Sequence, residues 1–259
     1  GSKSSCTYYK TTKEDCFKGD EIPLLGYWPF DTAGDYKDYS GNGYDLEKVT
    51  AANADPPGSG FLPDFRTIPG TGNGYLDFGT NGADKSLTNS RFTWSKDYKQ
   101  VTISFWSKSV GAGRPVFGVG HNDNANNYFN GRAYHLDNNI YWDYGNPNAN
   151  GRGISAASYL NEWTHIVLVS NGVNSKKIYV NGVAVSLSGG TADNTANKPT
   201  DELLNSIFIG RTAWDTFTNT RSTTDYFKGS LDEFMIYNQV LTNDQINRIY
   251  NIQRSKFGV

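Results

Sequence analysis

The sequence of 259 residues is poor in charge and nearly free of sulfur. Charged residues make up only 19% of it, the formal net charge is -2, and there are two cysteines and one methionine. No basic block occurs, which argues against a nucleic-acid partner. No apolar run is long enough to cross a bilayer as a helix, which argues against membrane insertion. The three histidines (His121, His135, His165) are scattered, and two cysteines without a histidine cluster do not make a zinc site. Asn-x-Ser/Thr acceptors are missing despite many asparagines, which favours a bacterial or viral source over a glycosylated animal protein. There is also no phosphate loop, no Gly-x-Ser-x-Gly and no His-Glu-x-x-His.

What is present is aromatic side chains, at 14%, set in short alternating runs between glycine- and asparagine-rich turns. Residues 100–108 alternate strictly, with Val101, Ile103 and Phe105 on one face. Residues 24–30 read as a first strand, with Pro29 marking an edge or an end. Further strands are expected at 75–78, 114–119, 133–136, 139–144, 163–170 and 206–210. Asn181-Gly182 predicts a tight hairpin between 177–180 and 183–187. Residues 51–73 read as a Pro/Gly-rich excursion, and 121–127, 188–203 and 211–226 as polar loops. Thr242-Asn-Asp-Gln245 has the form of a capping box opening a short amphipathic helix to about residue 253. Many short strands with little helix imply a β-sandwich or barrel.

Cys6 and Cys16 lie in a polar N-terminal segment, residues 1–21. They read as a disulfide closing a small loop in an oxidising compartment, or as two unrelated thiols. Residues 22–255 read as the folded domain and 256–259 as a tail.

The stretch 227–241 draws most attention. Simple alternation places Leu231, Glu233, Met235 and Tyr237 on one face and Asp232, Phe234 and Ile236 on the other. A carboxylate among apolar neighbours needs a cation or several donors, and no Lys or Arg shares that face. The partner of Asp232 must come from elsewhere in the chain or be a metal.

The order of segments is informative. Gly26-Tyr-Trp-Pro-Phe-Asp31 is followed by Asp38-Tyr-Ser-Gly-Asn-Gly43, Tyr75-Leu-Asp-Phe78 and Val101-Thr-Ile-Ser-Phe-Trp106. Then come Glu162-Trp-Thr-His-Ile166, Ile178-Tyr-Val-Asn-Gly182 and Phe227-Lys-Gly-Ser-Leu-Asp-Glu233. This series resembles the laminin-G-like jelly rolls, related to pentraxins, of the concanavalin A-like lectin/glucanase superfamily. The resemblance implies an all-β jelly-roll sandwich of two antiparallel sheets, about six or seven strands each, with the first and last strands adjacent and one short C-terminal helix. It also implies a structural calcium ion (Ca2+) where the loop after the first strand meets the last, held by Asp31, Asp38, Asn42 and Asp232. That loop is rich in the oxygens calcium takes, about six to eight per ion. Its alternative reading is a set of Asx turns bonded to their own backbone.

Catalysis finds little support. The glucanase branch of the superfamily carries its acid and nucleophile on one face of one strand, whereas alternation sends Asp232 and Glu233 to opposite faces. His135 is the best candidate base, but Arg132 and Tyr134 fall on the other face of its strand. Binding is better supported. Sugar rings stack on Trp and Tyr, and their hydroxyls suit Asn, Asp and Arg. Trp142, Asp143 and Tyr144, with Arg132, make one candidate surface; Trp214 and the His121 loop are others. Trp142 has the alternative reading of a core tryptophan, and Trp28, Trp106 and Trp163 read as structural.

The sequence thus predicts an extracellular, secreted or cell-surface, calcium-stabilised module that binds a glycan or cell-surface polysaccharide, within a larger adhesin or carbohydrate-active protein. The competing classes are a protein–protein adhesion module and a divergent polysaccharide lyase or glycoside hydrolase.

Overall fold

Two antiparallel sheets lie face to face, and one helix covers the outer side of the larger sheet. The computed structural model describes residues 24–50, 61–80, 85–95, 100–111, 115–121, 124–132, 139–144, 152–155, 159–171, 176–187, 203–204, 206–211 and 226–259. In chain order the strands begin with β1 (Leu24–Trp28), β2 (Glu47–Lys48), β3 (Asp64–Thr67), β4 (Gly74–Asp77), β5 (Leu87–Asn89), β6 (Trp94–Ser95), β7 (Val101–Ser109) and β8 (Phe117–His121). They continue with β9 (Asn124–Arg132), β10 (Ile140–Tyr144), β11 (Arg152–Ser155), β12 (Thr164–Ser170), β13 (Lys176–Val180), β14 (Val183–Val185), β15 (Leu203–Leu204), β16 (Ser206–Ile209) and β17 (Gly229–Tyr237). The helix is α1 (Asn243–Phe257).

The larger sheet has eight strands in the order β14-β13-β12-β7-β17-β4-β3, with β1 also paired to β17. The smaller has seven, in the order β11-β10-β9-β8-β16-β5-β2, and β6 with β15 forms a separate pair. The first and last strands are adjacent as expected: Trp28 pairs with Phe234 and Tyr27 with Met235. The strand ends at Trp28, before Pro29, which has no N–H to give to a ladder. Asn181 and Gly182, at φ 50° and 80°, form the predicted two-residue hairpin turn.

Val101, Ile103 and Phe105 point into the core between the sheets, against Phe117, Val119, Ile207 and Ile209. A second cluster lies outside the larger sheet, where Val167, Val169, Tyr179, Met235 and Tyr237 meet Ile246 and Ile249 of α1. Thr242 caps this helix with the expected reciprocal bonds to Gln245. The helix extends beyond the predicted end, and Lys256 and Phe257, expected in a tail, form its last turn before Gly258 closes it at φ 72°.

Two readings of the sequence are corrected, one in each sheet. In the span 121–127, expected as a polar loop, His121 ends β8 and Asn124 opens β9, pairing with it, and 124–127 belong to β9. Asparagine is a poor strand former, and pairing on both sides of β9 overrides that preference. Residues 51–73 include β3, whose Phe65 and Arg66 pair with β4. The strand expected at 133–136 lies outside the described residues, as do His135 and the N-terminal segment with Cys6 and Cys16.

Strand β17 breaks simple alternation. Asp232 pairs with Trp106 and Met235 with Ser104, leaving Glu233 and Phe234 against the single residue between them, Phe105. This is a β-bulge, with Glu233 in the left-handed region at φ 51°. Leu231, Phe234 and Ile236 therefore face the inter-sheet core while Met235 and Tyr237 face the helix. Asp232 and Glu233 fall on the same side, not on opposite faces. At the start of β17, Gly229 adopts φ 135°, and a Cβ there would lie 2.3 Å from the Lys108 carbonyl oxygen.

Beneath α1, His165 is fully buried, its Nε2 2.8 Å from Ser104 Oγ and its ring tilted against Trp106. Its Nδ1 has no partner. Burial pushes its pKa down to about 3. The unfolded chain takes up this proton near pH 6.5 and the folded chain only near 3, so the unfolded state binds more protons in between. The stability from a neutral His165 is present above pH 6.5 and is lost as pH falls towards 3. Urea titrations at pH 7, 6, 5 and 4 should show this as a loss that steepens below pH 6 towards about 1.4 kcal/mol per pH unit, attributable to one group, that His165→Gln removes. Equal pH slopes in the two proteins would refute it.

Candidate functional site

The position expected for calcium holds a side-chain cation. Lys256 Nζ lies 2.8 Å from Asp31 Oδ1, 2.9 Å from Asp232 Oδ2 and 2.8 Å from Glu233 Oε1. These carboxylates come from the loop after β1 and from the bulge in β17. The second oxygen of Glu233 accepts from Tyr27 Oη at 2.7 Å and Gln253 Nε2 at 3.1 Å. Gln253 Oε1 in turn accepts from Trp106 Nε1 at 2.9 Å. One network thus joins the first strand, the last strand, a central strand and the helix.

Local structure delivers each member. Phe30, buried in the core, takes φ 51° and redirects the chain so that Asp31 reaches the helix. The bulge turns both Asp232 and Glu233 outward. On α1, Ile246, Ile249, Gln253 and Lys256 recur at helical spacing along the stripe that faces the sheet. A lysine continuing an apolar stripe is a sequence signal for buried carboxylates, and it is the signal that a search confined to one strand face misses.

Three carboxylates around one ammonium set the titration of the cluster. Burial alone would lower the Lys256 pKa, but Glu233, Asp232 and Asp31 outweigh it and hold the ammonium well above its usual range. Burial pushes Asp232 well above the carboxylate range; Lys256 opposes that shift, and Glu233 and Asp31 add to it. Asp232 is fully buried and its Oδ1 has no hydrogen-bond partner. Lys256 stays charged, and Asp232 is driven towards its protonated form.

Asp38 and Asn42 do a different job. Asp38 Oδ1 accepts from the backbone N–H groups of Tyr27 and Ser40 at 3.0 and 2.9 Å. Its Oδ2 accepts from Ser40 Oγ at 2.8 Å and the Tyr44 N–H at 3.0 Å. Asn42 Nδ2 donates to the carbonyls of Leu24 and Leu25 at 2.9 and 3.0 Å. This is the Asx-turn reading, extended to tie the loop onto β1. The four residues expected around calcium therefore form two separate groups, one around Lys256 and one around backbone amides, and as arranged they do not fit one calcium cage. Among the described residues no group of three or more His, Cys, Asp or Glu is disposed to hold a metal.

The candidate ligand residues divide as sharply. Trp142 is fully buried in the inter-sheet core near Phe117, and its Nε1 donates to the Val169 carbonyl at 3.1 Å. It cannot stack on a sugar, which corrects the expectation. The reason is register. Ile140 and Trp142 face inward, so the outward positions of β10 are Tyr141 and Asp143, one residue away from the pair expected. Tyr144 shares the inward parity of Trp142. Arg132 stands opposite Tyr141, and Asp143 stands opposite Asn130 on one side and Arg152 on the other. Directly opposed residues share a face, so these positions gather on the outer side of the smaller sheet. His121 lies two strands away at the end of β8. Trp214 lies outside the described residues.

Two sheets face to face, a helix sealing one outer side and a ladder of polar and aromatic positions on the other define a jelly-roll sandwich of lectin type. The Laminin_G_3 family model, described as the concanavalin A-like lectin/glucanases superfamily, matches residues 72–247, and the chain belongs to this family. No curated protein sequence matches it. Solved structures share the fold. The binding domain of botulinum neurotoxin serotype G superposes with a TM-score of 0.62 at 18% identity, over 90% of this chain and 51% of that one. Domain 4 of AbnA, a GH43 extracellular arabinanase from Geobacillus stearothermophilus in complex with arabinotriose, gives 0.60 at 18% identity over 89% of this chain and 100% of that one. A botulinum neurotoxin type C structure gives 0.56 at 15%, over 88% and 51%. This chain therefore spans about half of the neurotoxin domains it matches and the full length of the arabinanase domain.

The Lys256 cluster can be separated from calcium by experiment. Removing one partner from a buried ion cluster leaves uncompensated charge and costs about 3–5 kcal/mol. Lys256→Met should lower unfolding stability by that amount in urea titrations, while EDTA leaves the wild-type Tm unchanged. A Tm that rises with calcium, and loses the rise in Asp38→Asn, would show instead that this loop takes up the ion.

Proposed function

We propose that this chain is a non-catalytic carbohydrate-binding module of an extracellular or cell-surface protein, taking its glycan on the outer face of the smaller sheet. The observation that carries this reading is the register of β9, β10 and β11. It sets the positions Arg132, Asn130, Asp143 and Arg152 around Tyr141 on one sheet face. Guanidinium, amide and carboxylate groups are the partners that sugar hydroxyls prefer, and charge-assisted bonds among them are the strong ones. Tyr141 is only 5% exposed, so it serves as the floor of such a surface and not as a projecting platform.

The acidic groups support binding over chemistry. Asp232 and Glu233 are buried beneath α1 and engaged with Lys256, away from the outer face of the smaller sheet. The structural neighbours point the same way. The arabinanase domain carries arabinotriose, and cell entry of the type C neurotoxin depends on interaction with two ganglioside molecules. Among the described residues no helix is long and apolar enough to cross a membrane.

Affinity electrophoresis and calorimetry against a panel of plant, bacterial and animal-surface polysaccharides test the proposal. Arg132→Ala and Asp143→Ala should each weaken binding by about tenfold or more, given about 1.5–3 kcal/mol for a hydrogen bond to a charged group. Trp142→Ala should act differently, lowering stability by about 3–5 kcal/mol through the cavity it leaves. Release of reducing ends or unsaturated products from any polysaccharide would overturn the non-catalytic assignment. Silence towards every glycan, with retention of a protein ligand, would overturn the sugar assignment.

A further inference from the structure

Arg211 is the unexplained charge of the smaller sheet. It lies just beyond β16, after Gly210, and is 2% exposed. Its guanidinium carbon lies 5.0 Å from the Phe208 ring centroid and 5.9 Å from that of Tyr226. Its Nε has no hydrogen-bond partner, and among the described residues no carboxylate pairs with it. A guanidinium in such a position has exchanged water for two aromatic faces, which return part of the hydration lost but leave its forked donors unused.

Backbone geometry explains how it arrives there. Ile207 and Ile209 face the core, so Phe208 faces outward. Continued alternation would send Arg211 inward with the isoleucines. Gly210 prevents this at φ 89°, and nothing larger fits, since a Cβ would lie 2.3 Å from the Phe78 ring. The kink returns Arg211 over Phe208, and its bridge with Tyr226 supplies the second ring. Opposite Phe208 and Ser206 on β8 stand Gly118 and Gly120, which add no side chain to that stretch of the outer face. Arg211 thus lies on the same face as Tyr141 and Asp143, with β8 and β9 between.

We propose that Arg211 recognises the carboxylate of an acidic sugar, so that the module selects a polysaccharide built on uronic or sialic acid units. This deepens the glycan-binding reading and rests on it. A carboxylate presents two coplanar oxygens at the spacing of the guanidinium fork, which the buried rings of Phe208 and Tyr226 hold in place. Arg211 selects within the site; Arg132 and Asp143 serve the hydroxyls common to neutral and acidic sugars.

Isothermal titration with polygalacturonate, carboxyl-reduced polygalacturonate, 3′-sialyllactose, lactose and dextran sulfate tests this. A carboxylated probe should bind at least about tenfold more tightly than its neutral counterpart, as a charge-assisted bidentate contact implies. Arg211→Gln should abolish that preference, and Arg211→Lys, which keeps the charge without the fork, should retain only part of it. Equal binding of acidic and neutral probes by the wild type overturns the proposal and leaves the glycan-binding reading intact. So does preference for dextran sulfate alone, which would reassign the site to sulfated sugars. Binding of no probe from this panel or the wider one removes both readings. The comparison of probes on the wild-type protein stands even if a variant does not fold.

Discussion

A single ammonium group closes this sandwich. Lys256, on the last turn of the only helix among the described residues, reaches carboxylates from the loop after the first strand and from the last strand. In a jelly roll these segments are neighbours in space and more than two hundred residues apart in sequence. Bringing them together costs chain entropy that local contacts do not offset. The cluster works because its surroundings are dry, and the same dryness makes its incomplete charge balance consequential. Burial, against the pull of Lys256 and with Glu233 and Asp31 adding to it, pushes Asp232 towards its protonated form. The bulge at Glu233 is the geometric condition for all of this, since without it the two acids would point to opposite sides of the sheet.

The helix that carries Lys256 also makes the two outer faces unlike. By covering the larger sheet it buries Met235 and Tyr237 in a second core and Trp106 and His165 beside it, against Tyr250 and Phe257. Ordered chemistry is spent there on holding the fold. The smaller sheet has no such helix among the described residues, and its outward positions are those of Tyr141, Asp143, Arg132 and Phe208. The placement of a polar residue in this fold thus depends first on which sheet it belongs to and then on strand parity.

Parity was readable in regular strands and lost at irregular ones. The alternation of Val101, Ile103 and Phe105, the Asn181-Gly182 turn and the capping box at Thr242 are local signals, and each element formed as expected. Trp142 shows the limit. Its pairing with Tyr144 on one face was legible, but nothing within residues 139–144 says which face is the core, because both carry aromatic residues. Asp232 and Glu233 show a second limit, because a bulge is set by the partner strand. The role of Lys256 is hidden for a related reason: its partners lie on other elements, and only its place on the apolar stripe of α1 announces it.

By itself the sequence determined the all-β class, the order of most strands, the capped C-terminal helix and the demand of Asp232 for a partner. These rest on short-range physics: side-chain period, turn conformations open to Asn and Gly, and the cost of an unpaired buried charge. Tertiary structure alone decided that the partner is Lys256, that Asp38 serves backbone amides, that Trp142 is core and that Arg211 lies over Phe208. The first and third depend on register between strands distant in the chain, where a shift of one residue exchanges the two faces; the other two depend on backbone turns, in the loop after β1 and at Gly210.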